Sequence, residues 1–168
     1  GEPMTQYLTV TLQSRGVVAR AKLLTEAAPR TCAAVLRALP AGGQVYHGKY
    51  ARNEIYTLIP HPGDEPGPEN TTVTPIPGDL CWFTFTGDQL GNPAYGYETE
   101  DEHREMGSIV DLALFYGRNN LLINGDQGWV PGNVFGTIVE GLDELAAACQ
   151  DIWMGGARGE TLMFAREG

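Results

Sequence analysis

Between Gly132 and Cys149 the chain reads GNVFGTIVEGLDELAAAC. The apolar run Val134 to Val139 predicts a strand, and Gly141 a corner. Leu142, Leu145, Ala146, Cys149, Ile152 and Trp153 then recur at helical spacing, which predicts an amphipathic helix with one buried stripe. After that helix GGARGE reads as a turn into a last strand, TLMFAR. Hydrophobic alternation at the other end of the chain, in MTQYLTVTLQ (4–13) and VVARAKLL (17–24), predicts an opening hairpin about SRG. A second helix is predicted from Pro29, which suits a first helical position, with Cys32, Val35, Leu36 and Leu39 on one face and Pro40 as the stop.

The middle is strand-rich. QVYHGKYARNEIYTLI (44–59) reads as two strands around a turn, PHPGDEPGPEN as loop, and the stretch up to Val73 as a strand. A Pro-Gly-Asp turn then leads into a strand over Leu80 to Phe85. Residues 88–107 carry the acidic run ETEDEHRE and read as a solvated insertion. SIVDLALFYG is a further strand, and RNNLLINGDQGWVPG a long connection. The 22 Gly and 11 Pro among 168 residues lie between short apolar runs, as a turn-rich β fold requires. With neither linker nor repeat, residues 1–168 are expected to form a single domain, mainly β, arranged as a closed barrel of about eight strands with helices at its ends.

A net charge of −10 argues against nucleic acid, because phosphate binding needs clustered Lys and Arg. It also disfavours anionic membrane surfaces. No run approaches the ~20 apolar residues of a membrane span, and the start GEPMTQYLTV lacks a basic segment followed by an apolar one. The expectation is a soluble, cytoplasmic protein. Cys32, Cys81 and Cys149 are too scattered for a metal site and are expected as buried free thiols. His47, His61 and His103 have no metal-ligand spacing, and Ser14 and Ser108 sit in no nucleophile elbow, so neither metal nor cofactor is expected.

Pro29-Arg30-Thr31, together with Phe135-Gly136, Val139 and Glu140-Gly141-Leu142-Asp143, resembles the two helix-bearing segments of the cyclophilins, the peptidyl-prolyl isomerases. The resemblance implies the cyclophilin-like barrel with two capping helices. It breaks in the middle, where the isomerase site lies. The family's Phe and Gln-Gly-Gly-Asp run is replaced by QVYHGKYARNEIYTLIP, its Gly-Ser-Gln-Phe-Phe by GSIVDLALFYG, and its His before Phe-Gly by Gly132. The middle is more similar to small bacterial and archaeal cyclophilin-like proteins of unassigned function. Asn53-Glu54-Ile55-Tyr56, Pro77-Gly78-Asp79 with Trp82 and Phe83, and Tyr116-Gly117 carry that likeness.

A filled barrel must hold its ligand on the outer face or rim. By strand parity Ile55, Thr57 and Ile59 face the core, leaving Glu54 and Tyr56 toward a cleft or solvent. The expected cleft comprises His47, Arg52, Glu54, Tyr56, Trp82, Tyr116, Arg118, Trp129, Asn133 and Phe135. Glu54 reads equally as an ordinary surface carboxylate, Arg118 as a surface ion pair, and Trp129 as a lid over the core. The expected function is binding of a small polar carboxylate or amide, with an accessory role beside an amide-type hydrolase as a related idea. A divergent prolyl isomerase acting through Arg52 or Arg118, and a protein- or peptide-binding module using the acidic insertion, are the alternatives. Whether the chain is an enzyme, and whether it forms a homodimer, stays open at this point.

Overall fold

In a computed structural model the chain is described at residues 5–49, 52–86, 108–124 and 128–167. The acidic insertion lies outside the described residues. The elements are β1 (Tyr7–Leu12), β2 (Val17–Leu23), α1 (Pro29–Ala38), β3 (Ala41–Gln44), β4 (Tyr46–His47), β5 (Glu54–Pro60), β6 (Thr71–Thr72), β7 (Asp79–Thr86), β8 (Ser108–Phe115), β9 (Ile123–Asn124), β10 (Gly128–Trp129), β11 (Gly132–Glu140), α2 (Leu142–Gly155) and β12 (Thr161–Arg166). The large sheet runs β3-β12-β1-β2-β11-β7-β8-β5-β4, with β6 on β11 and a small β9–β10 pair apart. Each ladder is antiparallel. At the seam the Thr57 hydroxyl of β5 donates to the Gln44 carbonyl of β3 at 3.0 Å, so the barrel is nearly closed. Eight of the described strands have four residues or more.

Two halves of the barrel differ in how they meet water. β1, β2 and β12 alternate, with Leu8, Val10, Leu12, Ala19, Ala21, Leu23, Leu162 and Phe164 turned inward. Their other face is partly exposed, which is the ordinary pattern of a one-sided antiparallel sheet. β5, β7, β8 and β11 are buried on both faces. Inside them Ile55, Ile59, Leu80, Val110, Leu112, Leu114 and Phe135 join the main core, as strand parity predicts for β5. Outside them Tyr56, Cys81, Phe83, Phe85, Ile109, Ala113 and Phe115 pack against Leu122, Val73 and Val130 from the connections, forming a second core. The fold therefore has one covered flank.

The helices close the barrel through Cys32 and Val35 of α1 and Leu145, Cys149 and Ile152 of α2. Gly141 opens α2 at φ +85°, and a Cβ there would lie 3.0 Å from the Val18 carbonyl oxygen, so the corner needs glycine. Trp153 departs from the expected stripe: it is 53% exposed, because the last turn of α2 overhangs β4 instead of the core. α1 has no side-chain cap of its own. Glu69 supplies one from the loop, accepting from Arg30 N (3.2 Å), Thr31 N (2.8 Å) and Thr31 Oγ1 (2.8 Å). Burial works to raise the Glu69 carboxyl, yet the bonds from Thr31 and Arg30 outweigh it and hold it below the usual range. All three cysteines are buried and free, as expected.

Candidate functional site

The covered flank holds two carboxyl groups. Register places Tyr56 of β5, Ala113 of β8 and Cys81 of β7 in one row, with Ala113 and Cys81 wholly buried. Glu54 lies one step along the same face toward one end, opposite Phe115. Asp111 lies one step the other way, between Leu58 and Phe83. The two acids thus share one face, on opposite sides of the Tyr56–Ala113–Cys81 row, where Tyr46 stacks on Tyr56 with ring centroids 5.4 Å apart. Glu54 is not the exposed carboxylate that its sequence also allowed: it is 8% exposed, and Asp111 is 5% exposed.

Burial disfavours the ionised form of both. It pushes the Glu54 carboxyl up to about 8, and raises Asp111 well above its ordinary value with a further contribution from Glu54. Glu54 is therefore a neutral acid at pH 7, able to donate and to accept a hydrogen bond. Asp111 Oδ1 has no hydrogen-bond partner among the described residues. Strands β5, β7 and β8 contain no Lys or Arg over their described ranges to neutralise the pair.

A second cluster sits at the α2 end of the barrel. His47 Nδ1 donates to the Gly48 carbonyl at 2.9 Å, which leaves Nε2 to accept from the Tyr116 hydroxyl at 2.5 Å. Burial lowers the His47 imidazolium and pushes the Tyr116 phenol up to about 12, so both are neutral at pH 7. Trp153 leans on the His47 ring, centroid to centroid 4.6 Å. Its other side faces a cleft of about 500 Å³ that includes Lys49, Arg52, Asn53 and Asn119.

The residues expected to share one cleft are thus distributed. Glu54 and Tyr56 lie on the covered flank, whereas His47, Arg52 and Tyr116 gather at the α2 end. Trp82 turns into the main core and, with Asn133, borders a separate recess of about 320 Å³ beside Val130 and Pro131. Asn133 is occupied structurally, donating to Thr31 Oγ1 (3.1 Å) and the Gly67 carbonyl (2.7 Å) and accepting from Glu69 N (3.2 Å). Phe135 is wholly buried in the core, Trp129 is 58% exposed on β10, and the Arg118 side chain is exposed. Asp111 and Trp153 were not singled out. Asp111 is the one charge in the apolar run SIVDLALF, a signal that was present.

Gly132 marks a local departure from the isomerase pattern. A Cβ at this position would lie 2.6 Å from Phe83 Cζ, so the Phe83 ring fills the space a side chain would need. Among the described residues no group of three His, Cys, Asp or Glu side chains is arranged to hold a metal ion. No helix among them is long and apolar enough to cross a membrane.

A nearly closed antiparallel barrel with two capping helices is the cyclophilin-like fold, and solved structures agree. The Mimivirus cyclophilin superposes with a TM-score of 0.51 at 15% identity, over 99% of this chain and 89% of that one. The hypothetical protein AF2241 from Archaeoglobus fulgidus reaches 0.54 at 21% identity, over 99% and 98%. The structure of McbB in complex with tryptophan reaches 0.61 at 17% identity, over 96% of this chain and 45% of McbB, so this chain spans less than half of that protein. The chain belongs to the family DUF3830, proteins of unknown function, whose model matches residues 10–164. No curated protein matches it in sequence.

Proposed function

We propose that this protein binds a small molecule bearing an amine or an amide on the covered flank, between Glu54 and Asp111. The observation that carries this reading is Asp111 Oδ1, an acceptor buried on a sheet face without a hydrogen-bond partner among the described residues. Leaving such an atom unpaired costs about 1–3 kcal/mol, and a bound donor restores the bond. A neutral Glu54 carboxyl matches an amide group, donating to its oxygen and accepting from its nitrogen. Toward an amine, which is already an ammonium ion at pH 7, Glu54 gives its proton to the buffer as the cation binds, and the ammonium offsets the buried carboxylates. McbB, which shares the fold, is described with tryptophan, a small molecule that carries an amine.

Isothermal titration of the protein with tryptamine, L-tryptophan and indole-3-acetamide at pH 7 tests the proposal. Saturable binding of at least one is expected, weakened tenfold or more by Asp111→Asn. For an amine, the heat should vary with the ionisation enthalpy of the buffer, because Glu54 releases a proton. Absence of binding by all three, or equal affinity in the variant, rejects the reading.

A further inference from the structure

We infer that the cleft at the α2 end is a separate binding site for a small organic anion with a flat apolar body, an aromatic carboxylate being the simplest case. The cleft, about 500 Å³, is of a size that holds small ligands. It is lined by Trp153 of α2 together with Lys49, Arg52, Asn53, Asn119 and Leu121.

Charge is the first argument. The protein carries −10 overall, and Arg15, Arg20, Arg30 and Arg37 all pair with carboxylates. Among the described residues Lys22, Lys49, Arg52, Arg118, Arg158 and Arg166 make no ion pair, and of these Lys49 and Arg52 both line the one cleft. Two cations with no ion pair among the described residues, set together in an acidic chain, make a local field that attracts anions. Arg52 adds a planar fork suited to a carboxylate.

Preorganisation is the second. Asn53 accepts no freedom from its loop: its Nδ2 donates to the Arg118 carbonyl at 2.9 Å, and its backbone N–H donates to Asn120 Oδ1 at 3.1 Å. The Asn53 amide fills the place of a Gly117 side chain, since a Cβ there would lie 2.6 Å from Asn53 Cγ. Asn120 is itself pinned, donating to the carbonyls of Pro75 (3.2 Å) and Gly117 (2.8 Å). Asn119, between these anchors, is held at φ +68°, a conformation that non-glycine residues adopt sparingly and that recurs at ligand-holding loops. The cleft edge is therefore built before any ligand arrives.

Apolar surface is the third. Trp153 is 53% exposed and Leu121 44% exposed, while the back of the indole rests on His47, which Tyr116 holds in place. A fixed aromatic plane beside two cations fits a ligand with a ring and an acid group.

The test uses protein labelled with 5-fluorotryptophan, whose resonances from Trp82, Trp129 and Trp153 are assigned with Trp129→Phe and Trp153→Phe, and titrates it with benzoate and with uncharged benzamide. Expected is a saturable shift of the Trp153 resonance by benzoate while the buried Trp82 stays still, with benzamide at least tenfold weaker. Lys49→Gln with Arg52→Gln should weaken benzoate about tenfold, as should raising salt from 50 to 500 mM, which screens exposed charges. No saturable shift at Trp153, equal affinity for benzamide, or an unaltered response in the double variant overturns the inference. Asp111→Asn should leave benzoate binding unchanged, so this site and the amine site stand or fall separately.

Discussion

Replacing Glu54 with Gln should stabilise the protein increasingly as pH rises from 5 to 8. The native carboxyl keeps its proton to about 8, whereas an unfolded glutamate ionises near the ordinary 4.5. Between those values the folded state binds more protons than the unfolded one, so stability falls with rising pH. Below 4.5 both states are protonated and the penalty vanishes; above 8 it levels off. At about 1.4 kcal/mol for each pKa unit, the penalty is roughly 1 kcal/mol at pH 5 and roughly 4 kcal/mol at pH 8. Gln has the size and hydrogen-bonding capacity of the neutral acid and no charge to bury. The wild-type and Glu54→Gln curves should therefore diverge by about 3 kcal/mol across this range, or about 6–12 °C in Tm for a chain of this length. Asp111 slopes both curves and cancels to first order. Urea unfolding at half-unit pH steps gives the difference directly. Parallel curves from pH 5 to 8 would mean that Glu54 is ionised in the native protein, and the account of the covered flank would fail.

Asn133→Ala removes three hydrogen bonds that tie the 66–69 loop to α1 and should cost about 2–3 kcal/mol by denaturant titration, with an unchanged m-value. Glu160 is fully buried and accepts from Ser14 N (2.8 Å), Arg15 N (3.1 Å), Thr161 N (2.8 Å) and Arg15 Nη1 (3.0 Å). Burial works to raise its carboxyl, but these donors prevail and hold it low, so its contribution is present above about 4.5 and lost as pH falls through its native value. Glu160→Gln should accordingly lower Tm at pH 7 and lose that deficit in acid, in a pH series of thermal melts. Gly132→Ala should destabilise by about 1–3 kcal/mol through overpacking against Phe83, and Phe83→Leu in the same chain should recover part of it.

Much of the barrel was legible because local pattern and tertiary role agree there. β1, β2 and β12 alternate since each has one wet face, and α1 has a single stripe with Pro29 at its start. The covered flank was harder. SIVDLALF is apolar on both sides of the strand, so parity alone could not say which face bears Asp111, and its partner lies 57 positions earlier on β5. Only the β5–β8 register brings the two acids to one floor. Trp82 is expected in the cleft with Glu54, yet it shares the inward parity of Leu80. Trp153 satisfied the helical stripe and still emerged into solvent, because a periodic pattern does not reveal where the underlying barrel ends.

The contact between Gly132 and Phe83 bears on how such chains diversify. A histidine cannot be introduced at the first position while the phenyl ring remains at the second, and trimming the ring alone would leave a void in the outer core. Each single step is expected to cost stability that the double step regains in part. The two positions are thus expected to change together, with a residue larger than glycine at 132 accompanied by a side chain smaller than phenylalanine at 83.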